Sequence, residues 1–159
     1  MAWDYIDSSE YWNVDLKWTP SIKWGDEKRI QLKDKAYSEY GMYRFERYHH
    51  LKKGHKELTY LGLAFKQSIG VRVYQHPVEE LNEWKKNGYL WVSYAPLYID
   101  GHHKKERYEE VEHLLTYFSK PREARKKFKS IPNCRLHIRN LKYKGTLPEE
   151  IIFPAVIIN

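Results

Sequence analysis

Residues 41–65 read GMYRFERYHHLKKGHKELTYLGLAF, and the way this stretch pairs with itself sets the fold. Gly41–Arg47 alternates charged with apolar or aromatic side chains, Leu51–Lys56 carries the turn residue Gly54, and Glu57–Phe65 is rich in aliphatic and aromatic residues. Two such runs around a turn predict an antiparallel hairpin. Directly opposed residues in an antiparallel pair have a constant index sum, here near 105 for a turn around Lys53–Gly54. Because that sum is odd, Tyr43 and Tyr60 fall on one face, and Gly62 shares it. The glycine leaves room on that face for another group to approach.

Downstream, residues 66–76 (KQSIGVRVYQH) turn helical, which puts Arg72 and His76 at i, i+4 on one helix face. Pro77 suits the first turn of a further helix, with Glu79 and Glu80 near its positive end and Gly88 at its close. YLWVSYAPLYI (89–99) reads as a third strand. In KERYEEVEHLLTYFSK (105–120), Val111, Leu114, Leu115 and Phe118 recur at helical spacing, and Pro121 stops the run. Glu112 sits inside that apolar stripe, where a carboxylate is costly unless paired or bound to a metal. RLHIRN (135–140) reads as a strand, and IIFPAVII (151–158) as an edge strand or packing arm, because Pro154 bars it from a sheet interior. Residues 1–38 look extended or irregular, with Trp12, Trp18 and Trp24 as lids on the domain. The expected architecture is α+β, with a small, mostly antiparallel three-stranded central sheet flanked by helices. One domain spans 39–159, with N- and C-terminal extensions.

At 159 residues the chain can bury one sizeable core, and 14 Tyr with 6 Trp argue against disorder. Cys134 is the single cysteine, which excludes an internal disulfide and a thiolate cage and suits a reducing cytosol. No apolar run is long enough to span a membrane, and the N-terminus lacks a signal-like apolar core. A cytoplasmic location is the expectation. The net charge of +7 is concentrated. Residues 120–144 hold ten basic side chains (Lys120, Arg122, Arg125, Lys126, Lys127, Lys129, Arg135, Arg139, Lys142, Lys144) against Glu123 alone, a local +9 that leaves −2 elsewhere. Concentrated positive charge points to a polyanion, with a solvated helix face as the plain alternative. His49, His50, His55, His102 and His103 lie in lysine-rich turns without matching carboxylates or thiolates, so no zinc site is read there.

"GMY" at Gly41–Tyr43 and "YLG" at Tyr60–Gly62 resemble the two signature tripeptides of the GIY-YIG endonuclease superfamily. Arg72 and His76 after the second tripeptide, and Glu112 in "VEHLL", follow in the family's order. LHIRNLKYKGTLPEEI at the C-terminal end is similar to the closing segment of some members. The resemblance runs from Gly41 to Glu150. The chain departs from compact members in its longer hairpin and in Arg72, which falls twelve residues after Tyr60, about two more than usual. A family asparagine is replaced near Ala124, with Asn133 the nearest candidate. The resemblance implies a divalent-metal-dependent endonuclease on double-stranded DNA. Glu112 would hold Mg²⁺, with Mn²⁺ as a substitute, and no other cofactor is implied. Tyr43 would be the general base or orient the nucleophile, and Tyr60 would hydrogen-bond nucleophile or phosphate. Arg72 would bind phosphate oxygens, and His76 would shuttle a proton or bind phosphate. Lys120, Arg122, Arg125, Lys126, Lys127, Lys129, Arg135, Arg139 and Lys142 would grip the backbone. Cutting both strands would take two copies, so a homodimer is compatible.

Other readings stay open. The two tyrosines also fit as cross-strand aromatics, Arg72 and His76 as a solvated helix pair, and Glu112 as a partner of Lys120 or Arg107. The missing asparagine and stretched spacing support a weak or inactive nucleic-acid-binding module on the same fold. A ribonuclease is a third reading.

Overall fold

The computed structural model describes residues 12–25, 38–52, 54–86, 88–97, 105–123 and 135–153. They form an α+β structure with two sheets and three helices. Strands β3 (Gly41–His49) and β4 (Lys56–Ala64) make the hairpin, and β5 (Gly88–Pro96) pairs antiparallel with β3 on its other side. A two-residue strand β2 (Ile22–Lys23) completes the order β2-β5-β3-β4. The central sheet therefore has four strands, where three were expected. Its fourth is too short to carry an alternation that a sequence pattern could register.

The hairpin register follows the turn geometry: Gly41 faces Ala64, Tyr43 faces Gly62 and Phe45 faces Tyr60. Past Phe45 the register slips, so that Glu46 faces Leu58 and Thr59 is the surplus residue of a bulge. β3 is paired along both edges and packed on both faces, and Gly41–Glu46 are all buried. Its odd residues Tyr43 and Phe45 join a core with Tyr60, Ile69, Val73 and Trp84. On the other face, Met42 joins a second core with Leu61, Val111 and Leu114. The charged members of the alternation, Arg44 and Glu46, do not face water, because that face is covered too.

The second core is roofed by a sheet in the order β1-β6-β7, made of β1 (Trp12–Lys17), β6 (Leu136–Leu141) and β7 (Glu150–Phe153). Within residues 1–38, expected to be extended or irregular, Trp12–Lys17 is an extended strand that belongs to a sheet. β1 pairs in parallel with β6, Val14 opposite Ile138, and it buries Val14 and Leu16 while Asn13, Asp15 and Lys17 stay exposed. Trp18 is no lid but core, with Nε1 donating to Asn140 Oδ1 at 2.9 Å. β7 lies at the sheet edge, while Pro154 falls outside the described residues.

Helix α1 (Ile69–Tyr74) starts at Ser68, whose hydroxyl accepts from Val71 N, and it lasts only six residues. Pro77 disfavours helical backbone in the residue before it, so His76 falls at the bend ahead of helix α2 (Val78–Trp84). Gly88 opens β5 instead of closing that helix. Helix α3 (Lys105–Ser119) packs Tyr108, Val111, Leu114 and Leu115 on the second core. Among the described residues no helix is long and apolar enough to cross a membrane.

Candidate active site

Tyr43 lies at the centre of the first core with no solvent exposure. Its ring crosses Gly62 on the edge strand β4, so closely that a Cβ there would collide with the ring and its hydroxyl. The space that the glycine leaves is thus taken by Tyr43 itself. Gly62→Ala is therefore expected to destabilise the fold by about 1–3 kcal/mol through overpacking. Urea unfolding that leaves the midpoint unchanged would show that the ring moves aside freely.

His76 reaches this hydroxyl from the bend between α1 and α2. Its Nε2 is 2.7 Å from Tyr43 Oη. The imidazole is buried, set edge-on to the rings of Tyr43, Phe45 and Tyr60. Tyr60 in turn stacks on Trp84 at 4.9 Å. On the far side of the imidazole, Glu80 Oε2 lies 3.5 Å from Nδ1. A carboxylate beside Nδ1 favours the tautomer that keeps its proton there, leaving the Nε2 lone pair to accept from the Tyr43 hydroxyl. Glu80 and Trp84 were missed as site residues. Glu80 reads from sequence only as an acid at a helix N-terminus, although it stands four residues after His76.

The electrostatics of Tyr43 gather the remaining residues. Its phenol is held well above the ordinary value, first by burial, then by Tyr60 through charge and a hydrogen bond, and by the Glu112 carboxylate, while Arg72 pulls the other way. Arg72, His76, Tyr60 and Glu112 therefore all bear on one hydroxyl. Arg72 does not share a helix with His76 as expected, but it is half-buried and braced, with Nη1 donating to Gln75 Oε1 at 3.1 Å and Gln75 donating to Gln67 Oε1 at 2.9 Å. Glu112 is half-buried on α3 beside fully buried Val111. Arg107, one of its anticipated partners, makes its ion pair with Glu110 at 3.4 Å and lies over the Trp12 ring.

Among the described residues no three His, Cys, Asp or Glu side chains cluster to cage a metal. The donor set is one half-buried carboxylate whose charge is felt at the Tyr43 phenol, all oxygen. That set fits a hard cation that keeps most of its waters and takes the rest of its shell from phosphate, as Mg²⁺ does.

The basic window is only partly described: Arg125, Lys126, Lys127 and Lys129, with Ala124 and Asn133, fall outside the described residues. Of the others, Arg122 spends its donors on Glu57 (3.2 Å), Glu123 (3.1 Å) and the Trp84 carbonyl (3.2 Å). Backbone N–H groups of Arg122 and Glu123 also bond Leu58 O and Thr59 O at the bulge, so this arginine fastens the chain after α3 to the edge of β4. Arg139 grips Asp15 with two bonds of 2.7 Å. Lys120, Arg135 and Lys142 are exposed. No family model, curated protein or solved structure matches the chain.

Proposed function

We propose that the chain is a metal-dependent endonuclease of the GIY-YIG type, hydrolysing phosphodiester bonds in DNA. The observation that carries this reading is the Tyr43 hydroxyl, bonded to His76 and to Tyr60 and felt electrostatically by Arg72 and Glu112. These are the residues that the two tripeptides and their followers single out in order.

Phosphodiester hydrolysis needs a proton acceptor for the attacking water and positive charge where the phosphorane's charge gathers. Burial keeps the Tyr43 phenol protonated at neutral pH, so by itself it is no base. Its bond to His76 Nε2 gives that proton a destination, and Glu80 holds the imidazole in the accepting tautomer and steadies the imidazolium. Tyr43 and His76 then act as one unit: the phenol takes the water's proton as it yields its own to Nε2. Arg72 is permanently charged and matches phosphate oxygens with a two-pronged fork. Tyr60, stacked on Trp84, orients the water or a phosphate oxygen. When bound at Glu112, Mg²⁺ would neutralise phosphate charge and acidify water.

Arg72→Ala is expected to lower turnover about 10²–10³-fold, as for loss of one charge-stabilising donor, with the thermal unfolding midpoint unchanged. An unaltered rate would place Arg72 outside the site. Complete burial of Tyr43 favours a second reading, a non-catalytic nucleic-acid-binding module, because a base must meet its water. Plasmid nicking across Mg²⁺ and Mn²⁺, run beside a gel shift at low salt, separates the two. Nicking supports the enzyme, and binding without nicking at any metal concentration ends that reading.

A further inference from the structure

On the face of the central sheet opposite Tyr43, Arg44 and Glu46 form an ion pair (Nε to Oε1, 3.0 Å), both side chains 1% exposed. The Arg44 guanidinium lies over the Trp18 ring at 4.5 Å. The pair's remaining bonds run to one place. Arg44 Nη2 donates to the Tyr143 carbonyl, and Glu46 Oε2 accepts from Thr146 N (3.1 Å) and Thr146 Oγ1 (3.0 Å). Gly145 lies so close to the Glu46 carboxylate that a Cβ would not fit. Buried ion pairs add little net stability, and their best-attested use is to fix one arrangement over its rivals. What this pair fixes is the turn between β6 and β7.

That turn does not hold itself. Lys142 (φ 49°) and Tyr143 (φ 34°) are consecutive non-glycine residues in left-handed backbone, which persists only where surroundings over-determine it. The outcome is an exposed Tyr143, 60% accessible as a residue, between two lysines. It forms a ridge between two concavities. One, of about 250 Å³, is lined by Ser21, Tyr48, Lys56 and Trp91, with Arg44 in its wall. The other, of about 590 Å³, is lined by Arg139, Lys142 and Lys144 together with Glu149 and Glu150. Among the described residues Lys56 and Lys142 have no carboxylate partner, and Lys144 Nζ donates to the Leu147 carbonyl at 3.2 Å, keeping its charge. Arg44 Nη1 also has no partner among the described residues.

We propose that this turn docks single-stranded DNA, with one unpaired base stacked on Tyr143 and the flanking phosphates held by Lys56 on one side and Lys142 and Lys144 on the other. An exposed ring face between cations suits a base whose own face is free. A duplex hides its base faces, so its stacking demand goes unmet there. The inference rests on the nucleic-acid half of the proposed function and not on catalysis, since Arg44 and Tyr43 point to opposite faces of β3.

The test is fluorescence anisotropy of a short labelled oligothymidine over a salt series, with the full chain. Tyr143→Ala is expected to weaken binding about ten- to a hundred-fold, and Tyr143→Phe to leave it unchanged, because the ring face is what counts. Lys142→Gln is expected to flatten the dependence of log K on log salt by about 0.7. Thermal melts check each variant, and Lys56→Gln, which lies on β4 and outside the strained turn itself, repeats the salt test should Tyr143→Ala misfold. The proposal is overturned if the parent ignores the oligonucleotide, if Tyr143→Ala binds as tightly, or if phenylalanine is as harmful as alanine. Plasmid nicking by the same preparations keeps the two readings apart. Nicking with Tyr143-independent binding removes this proposal alone, and Tyr143-dependent binding without nicking removes the catalytic one alone.

Discussion

Glu112→Ala is expected to abolish plasmid nicking in Mg²⁺, a loss of at least about a thousand-fold, while the gel shift at low salt stays nearly unchanged. The size follows from the donor set. Glu112 is the carboxylate that bears on the Tyr43 hydroxyl, and no cluster of three ligating side chains is found among the described residues to replace it. A site with several ligands loses affinity in steps, whereas a site with one protein carboxylate loses its hold on the ion at once. Binding is expected to survive because the cations proposed to contact the DNA backbone all lie outside α3 in the chain. Glu112→Gln keeps the volume on α3 and removes only the charge, so it guards against a packing artefact. It is expected to be as inactive as alanine, with an unchanged melt. Removing the carboxylate also takes away one of the influences that raise the Tyr43 phenol, so its pKa is expected to move down towards the ordinary range. Cleavage by Glu112→Gln at the parent's rate would take this carboxylate out of the mechanism and leave the binding module as the better reading.

The parts of this design that were legible in the sequence are those governed by short-range periodicity. The index sum of the hairpin put Tyr43, Tyr60 and Gly62 on one face, and the observed pairs Tyr43–Gly62 and Phe45–Tyr60 keep that sum up to the bulge. Glu112 could be singled out because a charge inside an apolar stripe is conspicuous. What could not be read depends on partners distant in the chain. Residues 12–17 do alternate, but their strand is made by a parallel neighbour more than a hundred residues away, and no local signal names it. Alternation likewise suggests that Arg44 and Glu46 face water, and only the roof of β1, β6 and β7 shows why they do not. His76 was placed on a helix by spacing, yet Pro77 ends that helix early and turns the imidazole towards Tyr43. Glu80 follows the same logic. Its helical position was foreseen, its contact with Nδ1 was not, because that contact crosses a bend.

The largest effect on the fold is expected at Glu46. Glu46→Ala leaves the Arg44 guanidinium buried without its counter-charge, a situation that destabilises a protein by about 3–5 kcal/mol. Arg44 has little means of escape. Its side chain is 1% exposed, one of its nitrogens already lacks a partner among the described residues, and burial lowers its pKa from a starting point far above neutrality, so it stays charged at any working pH. The same substitution frees Thr146 N and Oγ1, so the turn that carries Tyr143 loses its anchor together with the sheet. The double variant Arg44→Met with Glu46→Leu removes both charges and keeps apolar volume. It is expected to be more stable than Glu46→Ala alone, because no charge is then stranded. Urea unfolding of the two variants measures the difference, and a Glu46→Ala loss below about 1 kcal/mol would mean that water or a neighbouring group reaches the guanidinium. The oligonucleotide assay adds a second axis. If the ion pair serves to present the turn, the double variant stays folded yet binds the single strand more weakly, because its strained lysine and tyrosine are no longer held. Stability and binding then separate in one protein, which a purely structural role for Arg44 and Glu46 does not allow.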